Sequence, residues 1–404
     1  MSPPDGKPLC GVPRACPVCA GEAAALLFDN RMADCAGYDF SSPVVSCAGC
    51  GCAYSARALP AQDLARYYTT LSKYDTARSS GDIAPLDLER ARLAVEFVAP
   101  SFGSLRSVLD VGCSSGLLLH RLREAGVPVV RGIDPAADAP ANAQAIFGVP
   151  VEQAQAEQYG GYGEYDLVCL MAVLEHLLDP LALLRRIAAQ LRPGARVLIE
   201  VPDAGAFDRP GDERPLEAFG EFSNEHINFF AISDVARLAQ AAGLAIERWR
   251  AVRISSAYPG LHVLLRKAAG DAALPAADAA STATRAASAE AVGHYIGRSR
   301  AMLQEMERRL QAACTGPVLV YGAGNHTARL MCQSATLQQH GITAVFDRNA
   351  HLQGKAIGGV PILAPERSRD FPGATVVIST FNARREIHAA LSASSLHRVV
   401  RLYD

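Results

Sequence analysis

The chain has 404 residues, 50% of them apolar and 20% charged, with a formal net charge of −2. That is ordinary globular composition, long enough for two or three separate cores, and it builds no basic field, so no nucleic-acid partner is expected. No apolar run is long enough to cross a bilayer, and Met1 to Gly6 lacks the basic and apolar regions of a signal peptide, which predicts a cytoplasmic protein without a membrane partner.

Seven of the eleven cysteines lie between Cys10 and Cys52. In a reducing compartment such a local cluster points to metal rather than disulfides. Cys16-Pro17-Val18-Cys19 and Cys47-Ala48-Gly49-Cys50 form two CxxC knuckles. Two intervening residues let both thiolates of a knuckle face one ion, and two knuckles complete a tetrahedral four-thiolate site. Residues 10–57 are therefore read as a zinc-binding module. Cys16, Cys19, Cys47 and Cys50 hold a structural Zn2+; four free thiols are the alternative. Cys10, Cys35 and Cys52 are left over, and Cys52 could replace Cys50 only by breaking the spacing.

Residues 58–100 read as a helical segment: Leu64, Tyr67, Tyr68 and Leu71 recur at helix spacing, and Leu86 to Phe97 forms a second amphipathic stretch. Over 101–268 apolar strands alternate with helices. The strands are Ser107–Val111, Val129–Ile133, Leu167–Met171 and Arg196–Val201, with helices beginning near Gly116, Pro140, Leu181 and Ser233. This α/β alternation implies a mostly parallel, doubly wound sheet. Residues 269–315 are an Ala-rich linker followed by a long helix over Ala287–Ala313. A second strand–helix alternation occupies 316–404, opening at Pro317 to Tyr321. The two alternating regions share a plan, a glycine turn after the first strand and an acid after the second.

The first glycine turn, Asp110-Val111-Gly112-Cys113-Ser114-Ser115-Gly116, is DxGxxxG rather than the GxGxxG of a dinucleotide site. Its glycines let the backbone approach a ligand, and the helix that follows offers free N–H groups. Asp134 ends the next strand, where a carboxylate can accept both hydroxyls of a ribose. Glu175-His176 follows the strand Leu167–Met171 at the ligand-binding edge of the sheet, and reads equally as a catalytic pair or as a helix-start pair satisfied locally. Glu225-His226 lies in a long connection among aromatics (Phe222, Phe229, Phe230). A histidine in such a loop can act as a general base near neutral pH, with the adjacent Glu225 holding its ring. A satisfied structural histidine is the alternative.

Residues 107–203 resemble the core of class I S-adenosylmethionine (SAM) dependent methyltransferases through LDVGCSSG (109–116), GID (132–134), YDLVCLMAVLEHLLDP (165–180) and LRPGARVLIEVPD (191–203). The resemblance implies that Asp110, Gly112 and Gly116 surround the methionine part of SAM and that Asp134 holds its ribose. Gln155 and Ala156 would lie at the adenine, although an Asp is more usual where Gln155 stands, and Met171 would lie under the cofactor. An NAD-binding Rossmann domain or an inactive methyltransferase-like fold remains open. The whole chain resembles the nucleotide-sugar C-methyltransferases, which join a four-cysteine zinc module, a SAM domain and a C-terminal Rossmann-like domain. That family methylates carbon beside the ketone of a dTDP-4-keto-deoxysugar. The expected fold is thus α/β, a SAM-binding Rossmann-like domain flanked by a small zinc module and a second Rossmann-like domain.

In that family a Tyr-x-Glu-His motif supplies the base. Here Glu225 and His226 match, while Ser223 stands where the tyrosine should be, and Ser255 to Gly260 lacks the family's Gly-Gly-Ser. Tyr67, Tyr68 or Tyr74 could reach the substrate from the helical segment, with helix packing as the alternative. In the C-terminal region Gly322-Ala323-Gly324 precedes Thr327, which replaces the third glycine, so the motif does not by itself imply NAD. By the resemblance this region closes over the nucleotide-sugar, with Ser379, Thr380, Phe381 and Asn382 lining the cleft; a structural role is the alternative. The resulting expectation is a methyltransferase for a small molecule, a nucleotide-linked keto-deoxysugar, with His226 as general base. The alternatives are O-methylation of a sugar or other hydroxyl, or a non-catalytic or NAD-linked sugar-binding protein.

Overall fold

The computed structural model describes residues 8–70, 83–209, 217–254, 258–267, 281–381, 383–392 and 397–403. Leu71, Tyr74, Ser255 to Ala257 and Asn382 lie outside them.

The central element is a seven-stranded sheet in the order Val151–Gln153, Val129–Asp134, Ser107–Val111, Leu167–Met171, Arg196–Pro202, Tyr258–Lys267, Leu244–Ile254. The first five strands run parallel. Strands buried on both faces must be apolar on both, and side chains alternate between two cores. Leu109, Val168, Leu170, Val197 and Ile199 face one; Val108, Leu167, Cys169 and Leu198 face the other. Helices start close to the predicted positions, at Leu117, Ala139, Pro180 and Ile232. Local chemistry sets these starts: Pro140 and Pro180 sit in first turns, and Asp179 caps its helix by accepting from Ala182 N at 2.8 Å.

The sheet is mostly parallel but turns antiparallel at one edge. Tyr258–Lys267 runs antiparallel both to Arg196–Pro202 and to Leu244–Ile254. The outer strand, Leu244–Ile254, carries few buried side chains; its Arg248 and Arg250 lie over Phe97 and donate to Phe97 O and Leu93 O on the helix Pro85–Val98. Arginine stems thus cover an edge that reads as polar in sequence.

The cysteine-rich region contains a four-stranded antiparallel sheet. Its order is Asn228–Phe229, Ala53–Ser55, Ser42–Cys47, Ala24–Asn30. Its first strand therefore comes from the distant connection that carries Glu225 and His226. The second α/β region holds a six-stranded sheet, Ala356–Ile357, Val360–Leu363, Ile342–Phe346, Val318–Tyr321, Thr375–Ile378, Arg398–Arg401, parallel except for the first pair. The long helix begins at Ser281, six positions before the predicted Ala287, and ends at Ala313 as expected. Phe28 and Val44 of the cysteine sheet, Phe219 and Phe222 of the connection, Tyr295 of the long helix and Val318 and Val320 of the second sheet share one core. No helix among the described residues is long and apolar enough to cross a membrane.

Candidate active site

A cleft of about 860 Å³ opens at the carboxyl ends of Ser107–Val111, Val129–Asp134 and Leu167–Met171. Asp110, Gly112, Asp134, Gln155, Ala156, Met171 and His176 all line it. The glycine turn is built to approach closely: Gly112 takes φ +70, and Ser114 takes the left-handed φ +50. Gly116 is not among the lining residues. It caps the helix Leu117–Glu124 at φ +81, and a Cβ there would overlap Val149, so it closes the turn from behind.

The two acids differ in their surroundings. Asp134 is anchored, with Oδ2 accepting from Ser114 N at 2.8 Å and Oδ1 from Ala136 N at 2.9 Å. Asp110 is buried, and its Oδ1 has no hydrogen-bond partner. Burial, aided by the charge of Asp134, pushes its carboxyl up to about 8. An orphaned buried carboxyl oxygen at the glycine turn fits the ammonium of an amino-acid ligand.

At the mouth of the cleft Tyr68 OH lies 3.1 Å from His176 Nδ1, which also lies 3.0 Å from Glu225 O. The His176 and His226 rings meet edge to face with centroids 5.0 Å apart. The sequence treats these histidines as independent candidates, but the fold makes them neighbours. One donor atom from each of Glu175, His176 and His226 falls within a group 4.8 Å across, so the carboxylate gathered with both rings is that of Glu175. Glu225, expected to hold the His226 ring, is buried, and its Oε1 accepts from Tyr67 OH at 2.8 Å. Tyr67 OH accepts in turn from Asn224 Nδ2 at 2.8 Å. Burial and the Glu225 charge raise the Tyr67 phenol, which stays protonated and donates. A tyrosine is therefore present at the Glu-His pair, delivered from the helix Ala61–Thr70 rather than from position 223. Ser223 Oγ instead accepts from His226 N at 3.1 Å.

Sequence reading missed Arg90. It lines the cleft while donating to buried Glu200 at 2.6 Å, and Glu200 also meets His262 at 3.0 Å. Only the fold brings these three distant positions together.

The four cysteines of the two knuckles converge, their sulfurs all within 4.8 Å of one another. Cys16 and Cys50 lie 3.5 Å apart, as do Cys19 and Cys47. Sulfurs bound at about 2.3 Å to a tetrahedral ion sit roughly 3.7 Å apart, so the set fits Zn2+. Cys52 is fully buried beside them, with its Sγ toward Ala53 O. In the second sheet a smaller cleft of about 260 Å³ is lined by Gly322, Asn325, His326, Asp347, Ser379 and Thr380. Asp347 repeats the anchoring of Asp134, accepting from Ala323 N and Asn349 N at 2.8 Å each.

A sheet with this strand order and a glycine turn facing a ligand cleft defines the SAM-dependent methyltransferase class. A family profile described as a methyltransferase domain matches residues 85–248. The ubiquinone biosynthesis O-methyltransferase of Bordetella avium is 34% identical over 169 residues, 38% of this chain and 68% of that one. Its counterpart in Aeromonas salmonicida is 28% identical over 196 residues, covering 44% and 82%. The crystal structure of Burkholderia thailandensis 1,6-didemethyltoxoflavin-N1-methyltransferase with S-adenosylhomocysteine aligns at TM-score 0.42 and 21% identity, over 54% of this chain and 95% of that one. The chain belongs to the methyltransferase-domain family and is a SAM-dependent methyltransferase.

Proposed function

We propose that the enzyme methylates carbon beside the ketone of a nucleotide-linked keto-deoxysugar, with His226 as general base. The observation that carries this is the convergence of His176, His226 and Glu175 beside the cleft. In this reading Asp110 and Gly112 take the amino-acid end of SAM, Asp134 its ribose, and Gln155 and Ala156 its adenine. Gly116 shapes the turn, and Met171 lies under the cofactor. Residues 10–57 are a zinc module with Cys16, Cys19, Cys47 and Cys50 as ligands. Residues 58–100 belong to the methyltransferase domain of 101–268, residues 269–315 link, and 316–404 form a Rossmann-like domain closing over the nucleotide through Ser379 and Thr380.

SAM supplies an electrophilic methyl group on a sulfonium. Asp110 and Asp134 orient it from the sheet side, and the histidines stand on the acceptor side. His226 takes the proton from the carbon beside the ketone. The electron pair released there forms the bond to the methyl as the C–S bond breaks, leaving neutral thioether and methylated ketone. His176 crowds His226, and Glu175 offsets the charge that His226 gains. The relatives' name favours a second reading, O-methylation, in which the same base removes a hydroxyl proton.

The test is hydrogen exchange. Keto-sugar nucleotide held with S-adenosylhomocysteine in heavy water should take up deuterium beside the ketone. His226→Asn should suppress the exchange and slow methylation by roughly 10²–10⁴-fold, the usual worth of a general base. His176→Asn is expected to weaken both less. A product methylated on oxygen would replace the carbon reading with the second one.

A further inference from the structure

The two segments that carry the histidines are tied together by residues belonging to neither ring. Arg14 stands two positions before Cys16. Its guanidinium donates to Leu178 O at 3.0 Å, Asn228 Oδ1 at 2.9 Å and Ile227 O at 3.3 Å. Asn228, itself buried, donates through Nδ2 to Leu174 O at 2.9 Å and Leu177 O at 2.8 Å. Ser55 N donates to Ile227 O at 2.9 Å and Ile227 N to Glu175 O at 2.9 Å, while Asn228 and Phe229 pair with Tyr54 and Ala53. The turn Leu174–His176 and the strand after His226 are thereby joined to each other and to the cysteine sheet. The guanidinium spends three hydrogen bonds on two carbonyls and one amide oxygen, a planar fork that a lysine cannot reproduce.

We infer that Arg14 and Asn228 are positioning residues, a clamp through which the four-cysteine sheet fixes the separation of His176 and His226. None of these bonds reaches the glycine turn or Asp134; Leu177 and Leu178, which accept two of them, line the cleft beside His176, and it is on that side of the site that the clamp acts. A histidine displaced by about 1 Å from its acceptor loses on the order of 10²-fold in rate. The inference rests on the reading of the histidines as acceptor-side groups.

The experiment compares Arg14→Ala, Arg14→Lys and Asn228→Asp in the full chain. Asn228→Asp keeps the shape and the acceptor for Arg14 but sets a carboxylate oxygen against the carbonyls of Leu174 and Leu177. It therefore tests the clamp should Arg14→Ala fail to fold. Imidazole NMR of the protein saturated with S-adenosylhomocysteine should show His176 and His226 shifted and exchange-broadened in all three variants. Affinity for S-adenosylhomocysteine should stay within about twofold of wild type, and metal content should be unchanged. With the acceptor, kcat should fall roughly 10–100-fold at constant KM for SAM. Guanidinium ion added to Arg14→Ala should restore part of that loss, and should do nothing for Asn228→Asp. Wild-type histidine signals in both Arg14→Ala and Asn228→Asp would overturn the clamp. So would a parallel loss of S-adenosylhomocysteine affinity, which would mark general loosening. The NMR arm needs no acceptor: if wild type methylates no keto-sugar while the histidine signals still respond, the substrate reading fails and the clamp stands.

Discussion

Asp110 lies buried in the cleft with the charge of Asp134 acting on it. Its carboxyl ordinarily titrates near 3.8 and is held up to about 8 by burial and by Asp134. A carboxyl raised on folding stabilises the folded chain in its protonated form. That contribution is whole below about 3.8 and is lost as pH rises through about 8. If the ammonium of SAM meets Asp110, it favours the ionised form, and binding between these limits must expel a proton. Calorimetry at pH 6.5 in buffers of different ionisation enthalpy should therefore show release of up to about one proton per SAM bound. Asp110→Asn should abolish that release and weaken binding. An unchanged proton count in Asp110→Asn would place the ammonium elsewhere.

Among the elements, the antiparallel cysteine sheet is the one whose ends need outside support. Cys47 ends the strand Ser42–Cys47, Cys50 lies in the turn before Ala53–Ser55, and Cys16 and Cys19 flank a turn near Ala24–Asn30. One ion bridging the four would pin two connections to each other, and in a sheet this small such binding energy is folding energy. Metal analysis should find about one zinc per chain. Cys47→Ser should lower both the zinc content and the unfolding midpoint, whereas Cys10→Ser, at an exposed position outside the cluster, should change neither. A metal-free chain with an undisturbed midpoint would remove zinc from the fold. The knuckles were legible because thiolate spacing is a local property. So were the parallel strands and the helix starts between 107 and 202, where apolar runs, prolines and the Asp179 cap act within a few residues. Strands such as Ala24–Asn30 were not legible, since their pairing is set across the sheet. Nor was the gathering of Glu175 with both histidines. Adjacency in sequence points to Glu225, whose Oε1 meets Tyr67, while a segment 50 positions earlier brings the Glu175 carboxylate to the same two rings.

Across the whole molecule, the cysteine sheet, the connection that carries Glu225 and His226, and the second α/β region meet at Arg329. This side chain is 2% exposed. It donates to Asn30 Oδ1 at 3.0 Å and to Phe222 O at 2.5 Å, and its guanidinium lies 5.6 Å from the centre of the Phe219 ring. It thus holds one residue from each of two other regions while standing on the helix Asn325–Gln333 of its own. Asn325, on the same helix, donates to Asn224 Oδ1 at 2.9 Å, and Asn224 donates to the Tyr67 that holds Glu225. Arg329→Ala would leave buried Asn30 and the carbonyl of buried Phe222 without this donor and open a cavity beneath Phe219. Losses of this kind cost about 3–5 kcal/mol. Because the regions share one core, wild type should unfold in a single transition in urea. Arg329→Ala should unfold earlier and in two steps, with the second α/β region parting first and Tyr67 losing its tie through Asn224 at the same urea concentration. Tyrosine absorbance and far-ultraviolet circular dichroism would separate the two steps. A single transition at the wild-type midpoint would show that the apolar contacts of Phe28, Phe219 and Tyr295 hold the regions together without the arginine.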